Sequence, residues 1–153
     1  MKTAEEILQD KDGKLIKASP ETTIIEALRI MIKNQVGAIL VEKNGDIIGI
    51  WTERDLMRNT VNENFDPRTA KLGDYMTTGL VSAPHNDTVF HLLDKFLGMR
   101  IRHLLIKKDE KFIGMLSTGD VIKASMQEKD LEMKKLNAMV SWEYYENWQW
   151  RKK

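Results

Sequence analysis

The sequence contains no cysteine, which excludes disulfide bonds, thiolate metal sites and cysteine nucleophiles. It also lacks an excess of either charge, because 24 Lys and Arg residues stand against 23 Asp and Glu residues, for a formal net charge of +1. A chain without an overall basic field has no general attraction for nucleic acid. No apolar run approaches the roughly 20 residues that a membrane-spanning helix needs. We therefore predict neither a nucleic-acid partner nor a membrane partner.

Signatures of catalysis are scarce as well. The histidines are His85, His91 and His103, and their spacing matches no common metal-binding pattern. The chain has neither a glycine-rich phosphate loop with its lysine nor a nucleophile elbow. We predict that the protein is not an enzyme and requires no cofactor.

The composition is that of a globular protein, with 42% hydrophobic and 31% charged residues. Residues 1–6 lack the apolar core of a signal peptide. From these two observations we expect a cytoplasmic location.

One stretch of the sequence occurs twice. Residues 49–56 read Gly-Ile-Trp-Thr-Glu-Arg-Asp-Leu and return 65 positions later, at residues 114–121, as Gly-Met-Leu-Ser-Thr-Gly-Asp-Val. Each copy has a glycine, two apolar residues, a hydroxyl residue, two variable positions, an aspartate and an apolar residue. The register continues upstream without a gap, so that Thr23 aligns with Thr88 and Leu40 with Leu105. Self-similarity of this length indicates that the chain is a duplication.

Each copy predicts the order strand, helix, strand, strand, helix, preceded by a short helix near residues 3–9 or 71–76. Thr23 and Glu26 have capping-box spacing, and Asn44-Gly45 is typical of a tight hairpin turn. The two longer helices carry wide apolar stripes that we expect to be buried. The stripes are Ile24, Ile25, Leu28, Met31 and Ile32 in the first repeat, and Val89, Leu92, Leu93, Phe96 and Leu97 in the second.

These elements predict a mixed α/β protein made of two βαββα repeats and a C-terminal helical extension. The domains are residues 1–66, residues 67–126 and the extension at 127–153. A repeat of about 60 residues buries only about 60% of its surface, so neither is expected to be stable alone. We expect the two to pack sheet to sheet around a pseudo-two-fold axis, which creates two equivalent clefts.

The doubled motif, placed after a helix and a hairpin, resembles a tandem pair of cystathionine β-synthase-type (CBS) domains, often called a Bateman module. The segments 75–78 and 101–106 resemble the lead and the middle strand of that family's second repeat. The resemblance implies a regulatory module that binds an adenosine-containing ligand, namely AMP, ADP, ATP or S-adenosylmethionine. It also implies back-to-back homodimers.

The motif residues have two interpretations. In a structural one, Thr52 and Ser117 cap helices, while Asp55 and Asp120 lie in the first turn and interact with the helix dipole. In a functional one, the helix N-terminus binds phosphate and the aspartate accepts the hydroxyls of a ribose. The CBS resemblance implies these functional roles at both motifs. Apolar strands, including Ile39 and Leu104, can hold an adenine face.

The two repeats differ in ways that predict one occupied site and one weak or empty site. Arg102-His103 replaces Gly37-Ala38, and Thr118-Gly119 replaces Glu53-Arg54, which removes a cation from the second motif. Because adjacent residues of a strand face opposite sides, we do not expect Arg102 and His103 to line one cleft face together. The candidate ligand-binding residues are Ile39, Thr52, Arg54, Asp55, Arg102, His103, Leu104, Ser117, Thr118 and Asp120.

From Gln127 onward the sequence is typical of a helix with an apolar stripe that includes Leu136, Met139, Val140 and Tyr144 and extends to Trp148. It also contains Trp142, Tyr145 and Trp150. We favour an interpretation in which this helix covers the protein's own core or its dimer mate; the alternative is a docking surface. The leading hypothesis for function is an adenosine-ligand sensor that signals to an unknown protein partner. The alternative is a ligand-free dimeric scaffold that presents the aromatic helix.

Overall fold

The computed structural model describes residues 1–11 and 15–149, with the backbone alone for residues 140–149. The architecture is mixed α/β, as predicted. Its elements are α1 (Ala4–Asp10), β1 (Lys17–Ala18), α2 (Ile24–Asn34), β2 (Ala38–Lys43), β3 (Asp46–Thr52), α3 (Glu53–Thr60), α4 (Leu72–Tyr75), β4 (Ser82–Pro84), α5 (Val89–Met99), β5 (His103–Lys108), β6 (Lys111–Ser117) and α6 (Thr118–Gln149). No helix in the described residues is both long and apolar enough to cross a bilayer.

The two repeats form two three-stranded sheets with the same topology. The first sheet has the order β1-β2-β3 and the second β4-β5-β6, with one parallel and one antiparallel pair in each. The first hairpin turns through Asn44 and Gly45, both at positive φ, as the sequence predicts. The motif glycines occupy matching positions, since Gly49 pairs with Val41 and Gly114 pairs with Ile106, each beside a register shift. The duplication of the sequence is therefore a duplication of the fold.

Each short lead helix packs on the other repeat. Ala4 and Ile7 of α1 are buried in the core of the second repeat, and Leu72 of α4 is buried in the core of the first. The motif glycines allow this exchange, because a Cβ on Gly114 would lie 2.6 Å from Leu8 and one on Gly49 would lie even closer to Met76. Each predicted repeat thus completes the core of its neighbour, which interlocks the two.

The buried stripes of α2 and α5 are narrower than the sequence predicts. Met31 and Phe96 are buried, but Ile32 is 75% exposed and Leu97 is 79% exposed. These two positions are related by the repeat register, and each lies about 100° around its helix from the buried residue before it. The prediction that they belong to the core is wrong in both repeats for the same geometric reason.

The extension is part of one continuous helix, because α6 begins in the second motif and passes residue 127 without a break. Leu136 and Met139 are exposed, so this stretch does not cover the chain's own core as one interpretation expects. The predicted apolar stripe continues through Val140, Tyr144 and Trp148. These side chains, and the residue Trp150, lie outside the part of the chain that the structure describes.

Candidate functional site

The first motif forms the junction between β3 and α3. Strand β3 ends at Thr52, which caps α3 and accepts a hydrogen bond from the Asp55 backbone N–H at 3.3 Å. In return, Asp55 Oδ2 accepts the Thr52 backbone N–H at 2.9 Å, which completes a capping box. The structural interpretation of these two residues is therefore correct.

The capping box leaves half of the Asp55 carboxylate unused. Oδ1 lies 3.9 Å from Nη1 of Arg58, beyond hydrogen-bond distance, and within the described residues it accepts no hydrogen bond. The side chain is nevertheless only 13% exposed, because it borders a cleft between the repeats. Oδ2 thus bonds to the helix cap, while Oδ1 can still accept a hydrogen bond from a ligand hydroxyl.

This first cleft has a volume of about 290 Å³ and takes its walls from both repeats. The first repeat contributes the motif and Arg58, while the second contributes the segments 79–81 and 100–103. Its apolar wall consists of Ile50, Leu80, Val81, Ile101 and Leu105. An apolar wall with a few convergent polar groups is the usual composition of a small-molecule site.

Arg102 and His103 both line the first cleft, contrary to the prediction from strand alternation. The rule does not apply because β5 begins at His103, so that Arg102 lies just before the strand. Arg100 reverses the chain at the end of α5 with a φ of 53°, and the Thr118 backbone N–H then donates to the Arg102 carbonyl oxygen at 2.9 Å. The sequence alone does not show where the strand starts.

His103 is uncharged in this environment. Burial lowers its pKa, and the positive charges of Lys11 and Arg102 lower it further, against the opposing effect of Glu53 and Asp120. An imidazole with a pKa below its ordinary value of about 6.5 is neutral at pH 7. His103 can therefore contribute a neutral hydrogen bond, but it adds no charge to the cleft.

The second motif has the same cap but a different neighbour. Ser117 Oγ accepts the Asp120 backbone N–H at 3.2 Å, and Asp120 Oδ2 accepts the Ser117 N–H at 2.8 Å. The ammonium group of Lys11 donates to that same Oδ2 at 2.7 Å and to the Met115 carbonyl oxygen at 3.3 Å. Burial opposes ionisation of Asp120, but the Lys11 and Ser117 hydrogen bonds outweigh it and hold its pKa below the ordinary value. The second carboxylate is already paired with the chain's own cation.

The second motif also borders a different kind of cavity. This second cavity, of about 310 Å³, is lined by Asp120 together with α1 residues and their neighbours, including Lys2, Asp10 and Lys11. Among the described residues, none of the segment 35–38, which corresponds to 100–103 in the repeat register, lines it. Within the described residues, the cavity at the second motif thus differs in its lining from the first cleft.

A family model for the CBS domain matches residues 5–62 and residues 72–127, which together cover most of the chain. The chain belongs to the CBS domain family. The two matched segments agree with the two repeats, so that the protein is a CBS pair, and CBS pairs are regulatory modules.

Several relatives of this CBS pair cover most of its length. The mitochondrial CBS domain-containing protein CBSX3 of Arabidopsis thaliana is 33% identical over 138 residues, which is 87% of this chain and 67% of the relative. The solved CBS-domain protein ATU1752 of Agrobacterium tumefaciens is 28% identical, with a TM-score of 0.76 over 81% of this chain and 99% of that chain. The resemblance extends over the whole of the solved protein.

Two further CBS structures were solved with ligands. The CBS domain protein PAE2072 of Pyrobaculum aerophilum, complexed with AMP, is 21% identical, with a TM-score of 0.67 over 78% of this chain and 89% of that one. The CBS pair of MJ0100, in complex with 5′-methylthioadenosine and S-adenosylmethionine, is 18% identical, with a TM-score of 0.70 over 84% and 98%. At these identities the likeness shows the fold alone.

The CBS pair brings half of the predicted site residues together. Those that line the first cleft are Thr52, Arg54, Asp55, Arg102 and His103. Ser117 and Asp120 form the second cap, while Thr118 lines a third cavity beside Arg102. Ile39 and Leu104 are fully buried in the cores of the two repeats and are not among the residues that line the cleft. Their strands are covered on both faces, which a continuous apolar run already indicates.

Several residues that line the cleft were not identified from the sequence. Ile50 lies two residues before Thr52 on the same strand, so period-two alternation places both on one face and would have identified it. Arg58 lies one helical turn after Asp55, at a spacing that predicts proximity. Lys11 occupies the position of Met76 in the repeat register, and this exchange of an apolar residue for a cation was the available signal.

The described part of the chain contains no cluster of three or more acidic or histidine side chains that could hold a metal ion.

Proposed function

We propose that this CBS pair is a regulatory sensor that binds one adenosine-containing ligand per chain in the first cleft. The observation that carries the proposal is the half-used carboxylate of Asp55, which is held rigidly by the capping box and borders a cleft with an apolar wall. In this arrangement Asp55 accepts hydrogen bonds from the ribose hydroxyls, and the α3 N-terminus at Thr52 faces the phosphate of the ligand. AMP, ADP, ATP and S-adenosylmethionine are the candidate ligands.

Two observations support this assignment. The AMP-bound PAE2072 and the MJ0100 complex share the fold, so adenosine ligands are compatible with this architecture. The apolar residues Ile50, Val81 and Ile101 line the same cleft and provide a surface for a base. A ligand in this position touches both repeats, and a ligand that prefers one arrangement of the repeats shifts the population toward it.

Calorimetric titration of the purified chain tests the proposal. We expect at least one of the four ligands to bind with a stoichiometry of one per chain. At 100 times its dissociation constant, that ligand is expected to stabilise the folded state by about 2.7 kcal/mol, which raises the unfolding temperature by roughly 5–10 °C. Two equivalent ligands per chain would contradict the single site. A folded chain that binds none of the four would overturn the sensor and leave the scaffold.

We also propose a homodimer, because the exposed apolar residues follow the repeat symmetry. Three pairs related by the 65-residue register are exposed in both repeats: Ile32 and Leu97, Met57 and Ile122, and Val61 and Met126. Exposed apolar residues that recur at equivalent positions of both repeats are consistent with one shared interface to which each repeat contributes equally.

Sedimentation analysis tests the dimer. The wild-type chain is expected to sediment as a dimer, and the double variant Met57→Lys/Ile122→Lys as a monomer, because two charges would be buried on each side of the interface. The control is Phe90→Lys, since Phe90 is exposed but its register partner Ile25 is half-buried. A monomeric wild type, or equal dissociation in the control, would contradict the assignment of this face.

A ligand-free dimeric scaffold is the second candidate function. It is favoured by the exposed apolar residues of α6 beyond the repeats, which are Leu131, Met133, Leu136 and Met139. An exposed helix of this kind is a suitable contact for a protein partner in either case. The cytoplasmic location and the absence of catalysis remain predictions, to be tested by cell fractionation and by product analysis with ATP.

A further inference from the structure

Four exposed arginine residues line the first cleft. This arginine rim consists of Arg54 and Arg58 from the first repeat and Arg100 and Arg102 from the second, all exposed and all lining the cleft. Within the described residues, the single ion pair that any of the four makes is the 3.9 Å contact between Arg58 and Asp55. The rim therefore holds guanidinium groups whose hydrogen-bond donors are available to a ligand.

The charges of the cleft do not balance. Glu53 and Asp55 are the acidic residues that line it, against the four arginines, and His103 is neutral. In the second cavity two of the three lysines are paired locally, because Lys2 pairs with Asp10 at 2.6 Å and Lys11 pairs with Asp120 at 2.7 Å. The first cleft therefore combines four arginines with two carboxylates, and only one of its arginines lies in an ion pair within the described residues.

We infer that the first cleft selects an adenosine ligand that carries two or more phosphates, as a nucleoside diphosphate or triphosphate. The inference deepens the proposed function and rests on it. A guanidinium group binds phosphate through two parallel hydrogen bonds, and the rim offers such groups from both repeats. Because four arginines and two carboxylates line the cleft, a ligand with more phosphate charge gains more from it than a monophosphate does. S-adenosylmethionine carries a sulfonium cation, which the rim repels.

The affinity of the wild-type chain for adenosine, AMP, ADP, ATP and S-adenosylmethionine tests the inference. Titrations are carried out with EDTA, so that no divalent cation neutralises the phosphates, and at matched ionic strength. We expect ATP to bind at least about tenfold tighter than AMP, and S-adenosylmethionine to bind weakest. The ratio of the ATP and AMP affinities is expected to fall as NaCl rises from 50 to 300 mM, because salt screens the exposed arginines.

The variant Arg102→Gln assigns the effect to the rim. We expect it to weaken ATP binding about tenfold and to change adenosine binding by less than about twofold. The matched control is Arg29→Gln, which removes the same charge from an exposed position on α2 that does not line the cleft. Circular dichroism melting of both variants verifies that each is folded.

The outcomes separate this inference from the proposed function. Equal affinities for adenosine, AMP and ATP, or an equal loss of ATP binding in Arg29→Gln, would overturn the polyphosphate preference and leave the adenosine sensor intact. A preference for S-adenosylmethionine would do the same. If no adenosine compound binds the folded chain, the proposed function fails and the inference fails with it.

Discussion

Replacing Asp55 by alanine is expected to weaken nucleotide binding by at least about 100-fold. The carboxylate would accept two hydroxyls of the ribose, and a hydrogen bond to a charged group contributes about 1.5–3 kcal/mol. Loss of two such bonds removes about 3 kcal/mol or more, and each 1.4 kcal/mol is a factor of ten in the dissociation constant. Calorimetric titration of the variant with the tightest wild-type ligand measures the loss.

This variant needs a control because Asp55 also stabilises the fold. Its Oδ2 belongs to the capping box of α3, so alanine is expected to cost about 0.5–2 kcal/mol of stability whether or not a ligand binds. The chain supplies a matched control in Asp120, which makes the same contacts at the second cap but is paired with Lys11. Asp120→Ala is expected to lose a similar amount of stability and to bind ligand normally.

The two variants together decide between the interpretations of the motif. If both lose stability and only Asp55→Ala loses binding, the motif is a cap in both repeats and a ligand site in one. Equal binding losses would show that the effect passes through stability or that both motifs bind ligand. Normal binding by Asp55→Ala would remove the observation that carries the proposed function.

The fold could be predicted from the sequence because its elements follow repeated and local sequence patterns. The doubled motif, the Asn44-Gly45 turn and the caps at Thr23 and Thr52 each predict a local structure, and the CBS pair confirms them. The exposure of Ile32 and Leu97 was not accessible, since helical spacing defines an apolar stripe but not how much of it meets the rest of the molecule.

The candidate site could be predicted only in part, because the difference between the two motifs depends on tertiary contacts. The sequence shows that the second motif lacks the cation of Arg54, and it predicts unequal sites on that basis. It does not show that α1 crosses to the second repeat and brings Lys11 against Asp120, a contact between residues 109 positions apart. Nor does it show that β5 starts after Arg102, which decides whether two neighbouring residues can share a cleft.

The two motifs share one local structure but differ in what surrounds the carboxylate. Both caps have nearly identical geometry, so the capping requirement explains why Thr or Ser and Asp are present in both copies. The two carboxylates differ in their cationic neighbour. Asp120 forms an ion pair with Lys11, whereas Asp55 pairs with none of the described lysines. In both carboxylates Oδ1 accepts no hydrogen bond from the described residues, so the proposed difference in ligand binding lies in the Lys11 charge and in the cavity that each carboxylate borders, rather than in the motif itself.

That conclusion predicts that Lys11→Met will give the chain a second ligand site. Methionine is the residue at the corresponding position of the first repeat, Met76, so the variant makes the surroundings of Asp120 resemble those of Asp55. We expect the stoichiometry of the tightest ligand to rise from one to two per chain in calorimetric titration. Stability is expected to change by less than about 1 kcal/mol, because partly exposed ion pairs contribute little.

The control is Lys2→Met, which makes the same substitution at the edge of the same cavity and also breaks an ion pair, the one with Asp10. It leaves the Lys11 contact in place and is expected to keep one ligand per chain. The new site is located by adding Asp120→Ala to Lys11→Met, which should return the stoichiometry to one, whereas adding Asp55→Ala should remove the original site instead. In the folded Lys11→Met chain the cation is gone and the Asp120 carboxylate is still present. If that chain still binds a single ligand, the Lys11 ion pair is not what prevents ligand binding at the second motif.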